Sequence, residues 1–219
     1  MDVLATPLPS PSPAVLELVG LSCVRGSRRL FEGIDAAIHA GQLLRVQGAN
    51  GSGKTSLLRT LCGLSLPDRG VVRWNGRPLA GQRDEFHGDL IYIGHAAALK
   101  DDLSALENLR TTCLVGGQRP TPQALMQALA AAGLRQREHL GARSLSQGQR
   151  RRIALARLLL EPSPQLWVLD EPFNALDTAA SDWLVGVLTQ HLRRGGIVAL
   201  TSHQPVALDF SLQQVTVAL

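Results

Sequence analysis

Residues 48–55 read GANGSGKT, a glycine-rich octapeptide of the form GxxxxGK[ST]. These residue types suit a phosphate chain. Gly48, Gly51 and Gly53 permit backbone angles closed to other residues, so successive N–H groups can face one phosphate. Lys54 supplies a point charge, and Thr55 offers a hydroxyl to Mg2+. Ala49, Asn50, Ser52 and Ser56 complete the candidate nucleotide contacts of this stretch. Residues 166–172, LWVLDEP, bring a second set of groups. Asp170 can hold Mg2+ directly or through water, and Glu171 can polarise an attacking water. IVALTSH, 197–203, delivers His203 in the same manner, as a contact to a terminal phosphate. LSQGQRRRIALARLLLEP, 145–162, adds a third region, in which Ser146 and Gly148 open a helix with free N–H groups.

These groups need rigid elements to aim them. LLRVQG (43–48), LIYI (90–93), LWVLD (166–170) and IVALTSH (197–203) are short apolar runs that stop at glycine or at polar residues, as buried strands do. In open α/β sheets, ligands bind at the carboxyl ends of such strands. Helical spacing follows in TSLLRTLCGL (55–64), in 104–140 with Thr121 as a cap and Gly133 as a stop, in RRRIALARLLL (150–160) and in 181–196. Earlier, VLELVGLSCV (15–24), GIDAAIHAG (33–41) and VVRWNG (71–76) read as strands. Strands alternating with helices predict a mainly parallel sheet covered on both faces.

Composition removes several classes of function. The 22 basic and 18 acidic side chains leave +4, too modest to select a polyanionic partner. With 4% aromatic residues there is little for bases to stack on, so no nucleic-acid partner is expected. Cys23, Cys62 and Cys113 are odd in number and form no CxxC pair, against a disulfide framework or a zinc site. No apolar run reaches the ~18 residues of a membrane span. Residues 1–14, MDVLATPLPSPSPA, read as a flexible Pro/Ser-rich tail rather than a signal peptide. A role at a membrane would then require another chain as anchor.

The order GANGSGKT, LSQGQ, LWVLDEP, NALD, TSH resembles the ATP-binding subunits of ABC transporters, from residue 15 onward. That resemblance implies an α/β P-loop NTPase (ABC ATPase) fold in one domain, 15–219, with a mainly parallel core sheet. An N-terminal antiparallel β portion and a helical subdomain at about 96–148 belong to the same expectation. It implies ATP as substrate, Mg2+ as cofactor, and a head-to-tail dimer with a second copy of the chain. Leu145, Ser146, Gln147, Gly148 and Gln149 of one copy would close over ATP held by Lys54 of the other. Asp177, in NALD, would lie at the dimer interface.

Two departures narrow the resemblance. Where the family carries an aromatic residue against adenine, this chain has Arg25, whose planar guanidinium can also stack on a purine. Where the family ends a strand in glutamine, it has His95. Mg2+ prefers oxygen ligands, so His95 would act on it through a water, and protonation of the imidazole would repel the ion. YIGHAAALKDDLSALENL, with GVVRWNG and LDEPFNALD, resembles the cytochrome c maturation branch of the family, CcmA, in which GH replaces that glutamine. This implies haem handling at the cytoplasmic face of the bacterial inner membrane. Integral subunits CcmB, CcmC and CcmD would hold the chain, with residues 96–110 at the contact. Hydrolysis would release the haem-loaded chaperone CcmE. An ATPase for another exporter or importer is the alternative.

Overall fold

The computed structural model describes residues 15–202 and 213–219. The expected tail, 1–14, and His203 lie outside the described residues. Two sheets form the frame. The first is antiparallel: β1 (Val15–Arg25) pairs with β2 (Arg28–His39) and, on its other side, with β4 (Arg69–Trp74), which is edged by β5 (Arg77–Pro78). The second is parallel and contains β3 (Leu43–Gln47), β6 (Leu90–Ile93), β7 (Leu166–Leu169), β8 (Ile197–Thr201) and β9 (Gln214–Ala218). Its strand order is β6-β7-β8-β3-β9.

Every residue of β7 and β8 is buried. Both faces of these central strands are covered, which is why their sequences are continuous apolar runs and do not alternate. Register then sets the chemistry. Ile93 pairs with Leu169, Leu169 with Leu200, and Val46 with Thr201. The chain therefore leaves β6, β7 and β3 at adjacent points on one edge.

Helix α1 (Lys54–Leu61) covers one face, sending Leu57, Leu58 and Leu61 into a core shared with Leu16, Leu44 and Val46 from both sheets. Helix α6 (Thr178–Arg193) covers the other face with Leu184, Leu188 and Leu192. The helices α3 (Ala105–Val115), α4 (Pro122–Ala131) and α5 (Gln147–Ala156) gather around a separate apolar cluster that includes Leu109, Leu129 and Ile153. Ser104, Thr121, Ser146 and Asp177 cap α3 to α6 through their side chains. Such caps satisfy first-turn donors. Helix α1 has none: its cap is Gly53, at φ 111°.

The strands agree with the sequence pattern in the sheet core and depart from it at the margins. β2 begins at Arg28, five residues before the expected start, because Arg28, Arg29 and Phe31 pair with the end of β1. Helix α2 (Arg83–Gly88) and strand β9 were not expected from the sequence. Helix α2 buries Phe86 alone, and β9 buries only Val217, so neither shows a period.

Candidate active site

The loop 48–53 joins β3 to α1. An ideal Cβ on Gly48 would stand 2.5 Å from Ser52 Oγ and 2.7 Å from the Leu219 carbonyl oxygen, so only glycine lets the loop close here. Without a side-chain cap, the first N–H groups of α1 face the loop. Together with the positive end of the helix dipole they form an anion cradle. Lys54 is buried, and its Nζ donates to the carbonyls of Gly48 and Ala49 at 2.8 and 3.1 Å. An ammonium has three protons, so one remains for a phosphate oxygen.

Facing this loop, Asp170 emerges from β7. Its Oδ2 accepts from Thr55 Oγ1 at 2.7 Å, and its Oδ1 accepts from Thr201 Oγ1 at 2.7 Å. Thr201 Oγ1 also accepts the Glu171 N–H at 2.8 Å. One hydroxyl thus orients both consecutive acids. Glu171 has φ 49°, a left-handed conformation unusual for a side chain of its size. Leu30, Asn50, Gly51, Gly53, Lys54, Thr55, Ser56, His95, Asp170 and Glu171 line a cavity of about 300 Å³. A larger cavity, about 930 Å³, opens at the amino ends of β6 to β8 beside Trp167 and His191. It lacks the cradle and the paired acids, so the chemistry belongs to the smaller one.

The donor set suits Mg2+. Thr55 and Asp170 present oxygen ligands side by side, and Mg2+ is usually bound by one or two carboxylates plus substrate phosphates. The buried Ser52 Oγ has no hydrogen-bond partner among the described residues, which leaves it for a phosphate.

A family model described as ABC transporter matches residues 31–174. The cytochrome c biogenesis ATP-binding export protein CcmA of Dechloromonas aromatica is 50% identical over 192 residues, spanning 88% of this chain and 94% of that protein. The chain belongs to the CcmA family of ABC transporter ATP-binding proteins. CcmA of Aromatoleum aromaticum is also 50% identical, over 207 residues, 91% of this chain and 97% of that one. A putative ABC transporter ATP-binding protein from Pyrococcus furiosus has the same fold, with a TM-score of 0.78 at 25% identity over 92% of this chain and 96% of its own.

In this CcmA-family chain His95 sits in the cavity lining with Thr55, Asp170 and Glu171. Arg25 is absent from that lining; it is exposed at the β1–β2 turn, close to the Cys23 thiol. Arg28 reaches nearer the loop, with a guanidinium nitrogen 3.8 Å from where a Gly51 Cβ would stand. The segment 145–149 does not line its own chain's cavity. Ser146 Oγ accepts the Gln149 N–H at 3.2 Å, and Gln149 Oε1 accepts the Ser146 N–H at 3.0 Å, forming a capping box. The helix start is therefore less free than expected, because its own side chains take up part of its hydrogen-bonding capacity. The hydroxyl keeps its proton for donation. Asp177 caps α6 by accepting from Ala180 N at 2.8 Å.

Lys100, Asp101 and Asp102 are exposed, yet the segment that carries them is tied to the helices. Asp101 pairs with Arg150 of α5 at 2.6 Å. Asn108 accepts from the Lys100 N–H and donates to the carbonyls of Lys100, Leu103 and Ser104. Two residues escaped the sequence reading. One is Thr201, overshadowed by His203. The other is Arg151, which is buried on α5. Burial pulls the Arg151 guanidinium below its ordinary range, while Asp170 and Glu171 draw it back.

Proposed function

We propose that this chain hydrolyses ATP as the ATP-binding subunit of a membrane complex for cytochrome c maturation. Membership of the CcmA family supports this reading. The observation that carries it is the meeting of Lys54, Thr55, Asp170 and Glu171 around one cavity. The loop amides and Lys54 bind the phosphate chain and neutralise charge that builds on it during reaction. Thr55 and Asp170 would hold Mg2+, which would supply positive charge beside the phosphates. Glu171 orients a water and takes its proton as the water oxygen bonds to the terminal phosphorus. The bond from that phosphorus to the bridging oxygen breaks, and ADP leaves with the electron pair. His95 contacts this water or its neighbours from the end of β6, and His203 contacts the terminal phosphate.

A second copy of the chain completes the site, offering Leu145 to Gln149 to the nucleotide and placing Asp177 at the interface. Ser146 supports this part, since its hydroxyl stands at a helix start remote from its own chain's cavity. No helix among the described residues is long and apolar enough to cross a membrane, so integral subunits CcmB, CcmC and CcmD would hold the dimer at the cytoplasmic face of the inner membrane. Hydrolysis would then drive haem handling and release of haem-loaded CcmE.

Glu171→Gln tests the chemistry. It keeps shape and hydrogen bonding but cannot take a proton. Turnover should fall by ~10²- to 10⁴-fold while ATP still binds. Unchanged turnover would remove Glu171 from its role. Absence of turnover in the unaltered chain, assembled with its membrane subunits, would refute the function.

A further inference from the structure

Arg151 has a role that neither a cap nor a salt bridge describes. A guanidinium carries five N–H donors. In Arg151 all five are spent on main-chain carbonyls. Nε donates to Pro172 at 3.3 Å, Nη2 to Asp170 at 2.8 Å and Glu171 at 3.0 Å, and Nη1 to Gly94 at 2.7 Å and His95 at 3.4 Å. These five acceptors are the exits of two neighbouring strands, β6 and β7. One exit carries His95 and the other carries Asp170 and Glu171. The side chain is 4% exposed, so water does not compete for these donors.

The same helix touches the Glu171 loop a second time. A Cβ on Gly148 would stand 2.4 Å from the Ala175 carbonyl oxygen, so α5 lies against the backbone just past Glu171. Ala175 and Glu171 are both left-handed, at φ 63° and 49°. Non-glycine residues hold such angles only when surrounding contacts impose them. For Glu171 those contacts are Thr201 on its N–H and Arg151 on its carbonyl. The neighbouring Arg150 grips Asp101, so α5 also holds the chain further beyond His95.

We propose that Arg151 is a positioning residue for hydrolysis. It fixes Glu171 and His95 relative to each other, and it ties both to the helix that begins at Ser146. The inference rests on the ATPase reading given above. Nucleotide contact at Ser146 from a second copy moves α5, and Arg151 carries that movement to the two strand exits. Closure of the dimer and alignment of the attacking water are then one event.

The test separates binding from turnover. In Arg151→Lys the charge stays, but one ammonium cannot reach carbonyls on both exits. In the assembled complex, turnover per folded molecule should fall ~10- to 100-fold, since small misplacements of reacting groups cost this much. Affinity for a fluorescent ATP analogue should stay within ~2-fold, because no phosphate contact is lost. Arg152→Ala, which removes only a 3.4 Å bond to Gly133, is the surface control and should turn over normally. A second measurement needs no variant. Hydrogen exchange of the unaltered complex, with and without a non-hydrolysable ATP analogue, should show amides of 94–96, 147–151 and 170–176 gaining protection together. Normal turnover in Arg151→Lys, or a parallel loss of affinity and turnover, overturns the proposal. Independent protection of the three segments does so as well, even where Arg151→Lys does not fold. A wild-type complex without ATPase activity would instead refute the underlying function and leave the exchange result to judge the linkage.

Discussion

Replacing Thr201 by valine keeps the shape of the side chain and removes one oxygen. That oxygen donates to Asp170 Oδ1 at 2.7 Å and accepts the Glu171 N–H at 2.8 Å. The site is 0% exposed, so water cannot take over either bond. A bond to a charged acceptor contributes ~1.5–3 kcal/mol, and an orphaned buried donor costs ~1–3 kcal/mol. The new methyl group returns about 1 kcal/mol through burial. The net loss is about 3 kcal/mol, or ~6–12 °C in melting temperature for a chain of this length. Thr201→Ser keeps both bonds and loses one methyl group, costing ~1 kcal/mol. Denaturant titration gives the stabilities, and turnover of the folded fraction shows whether Asp170 and Glu171 have moved. The reasoning is refuted if valine lies within ~0.5 kcal/mol of wild type, the range of neutral surface changes, or if serine falls as far as valine.

Three other outcomes follow. His191 stacks on Trp167 with ring centres 3.6 Å apart, and burial pulls its imidazole down to about 4 despite hydrogen bonds that favour the charged form. Between pH ~6.5 and about 4 the unfolded chain therefore binds a proton that the folded one refuses, so stability is complete above ~6.5 and declines on acidification. Between pH 7 and pH 5 wild type should lose roughly 2 kcal/mol more of its unfolding free energy than His191→Phe; equal losses would count against the burial argument. His95→Ala should lower turnover of the assembled complex while nucleotide affinity stays within ~2-fold; unchanged turnover would remove His95 from the reaction. Asn108→Ala removes four bonds that hold the segment Lys100–Ser104. It should lower stability by ~2–3 kcal/mol and speed amide exchange at Lys100, and normal exchange there would show that the segment holds itself.

The strand-to-site geometry was readable because it is local. A short apolar run ending in Gly48, in Gly94 or at Asp170 states both the strand and what it delivers. Arg151 was harder to read. RRRIALARLLL holds four arginines that look alike, and most arginines are solvated. Yet Arg151, Leu155 and Leu158 fall at i, i+4 and i+7, so one charge lies on the buried stripe. That signal was present and passed over. Helix α2 and β9 carry too few buried residues to generate a period, and their placement comes from packing and from pairing with β3. The surroundings of the phosphate loop also depend on folding, because β2 starts at Arg28 and brings that guanidinium towards Gly51.

Helix α5 turns one side into each of two cores. Leu155 joins the cluster under β7, β8 and α6, while Ile153 and Ala156 join the one formed with α3 and α4. A segment embedded in both clusters couples them, so α5 cannot shift without disturbing the packing of the sheet core and of the three-helix cluster alike.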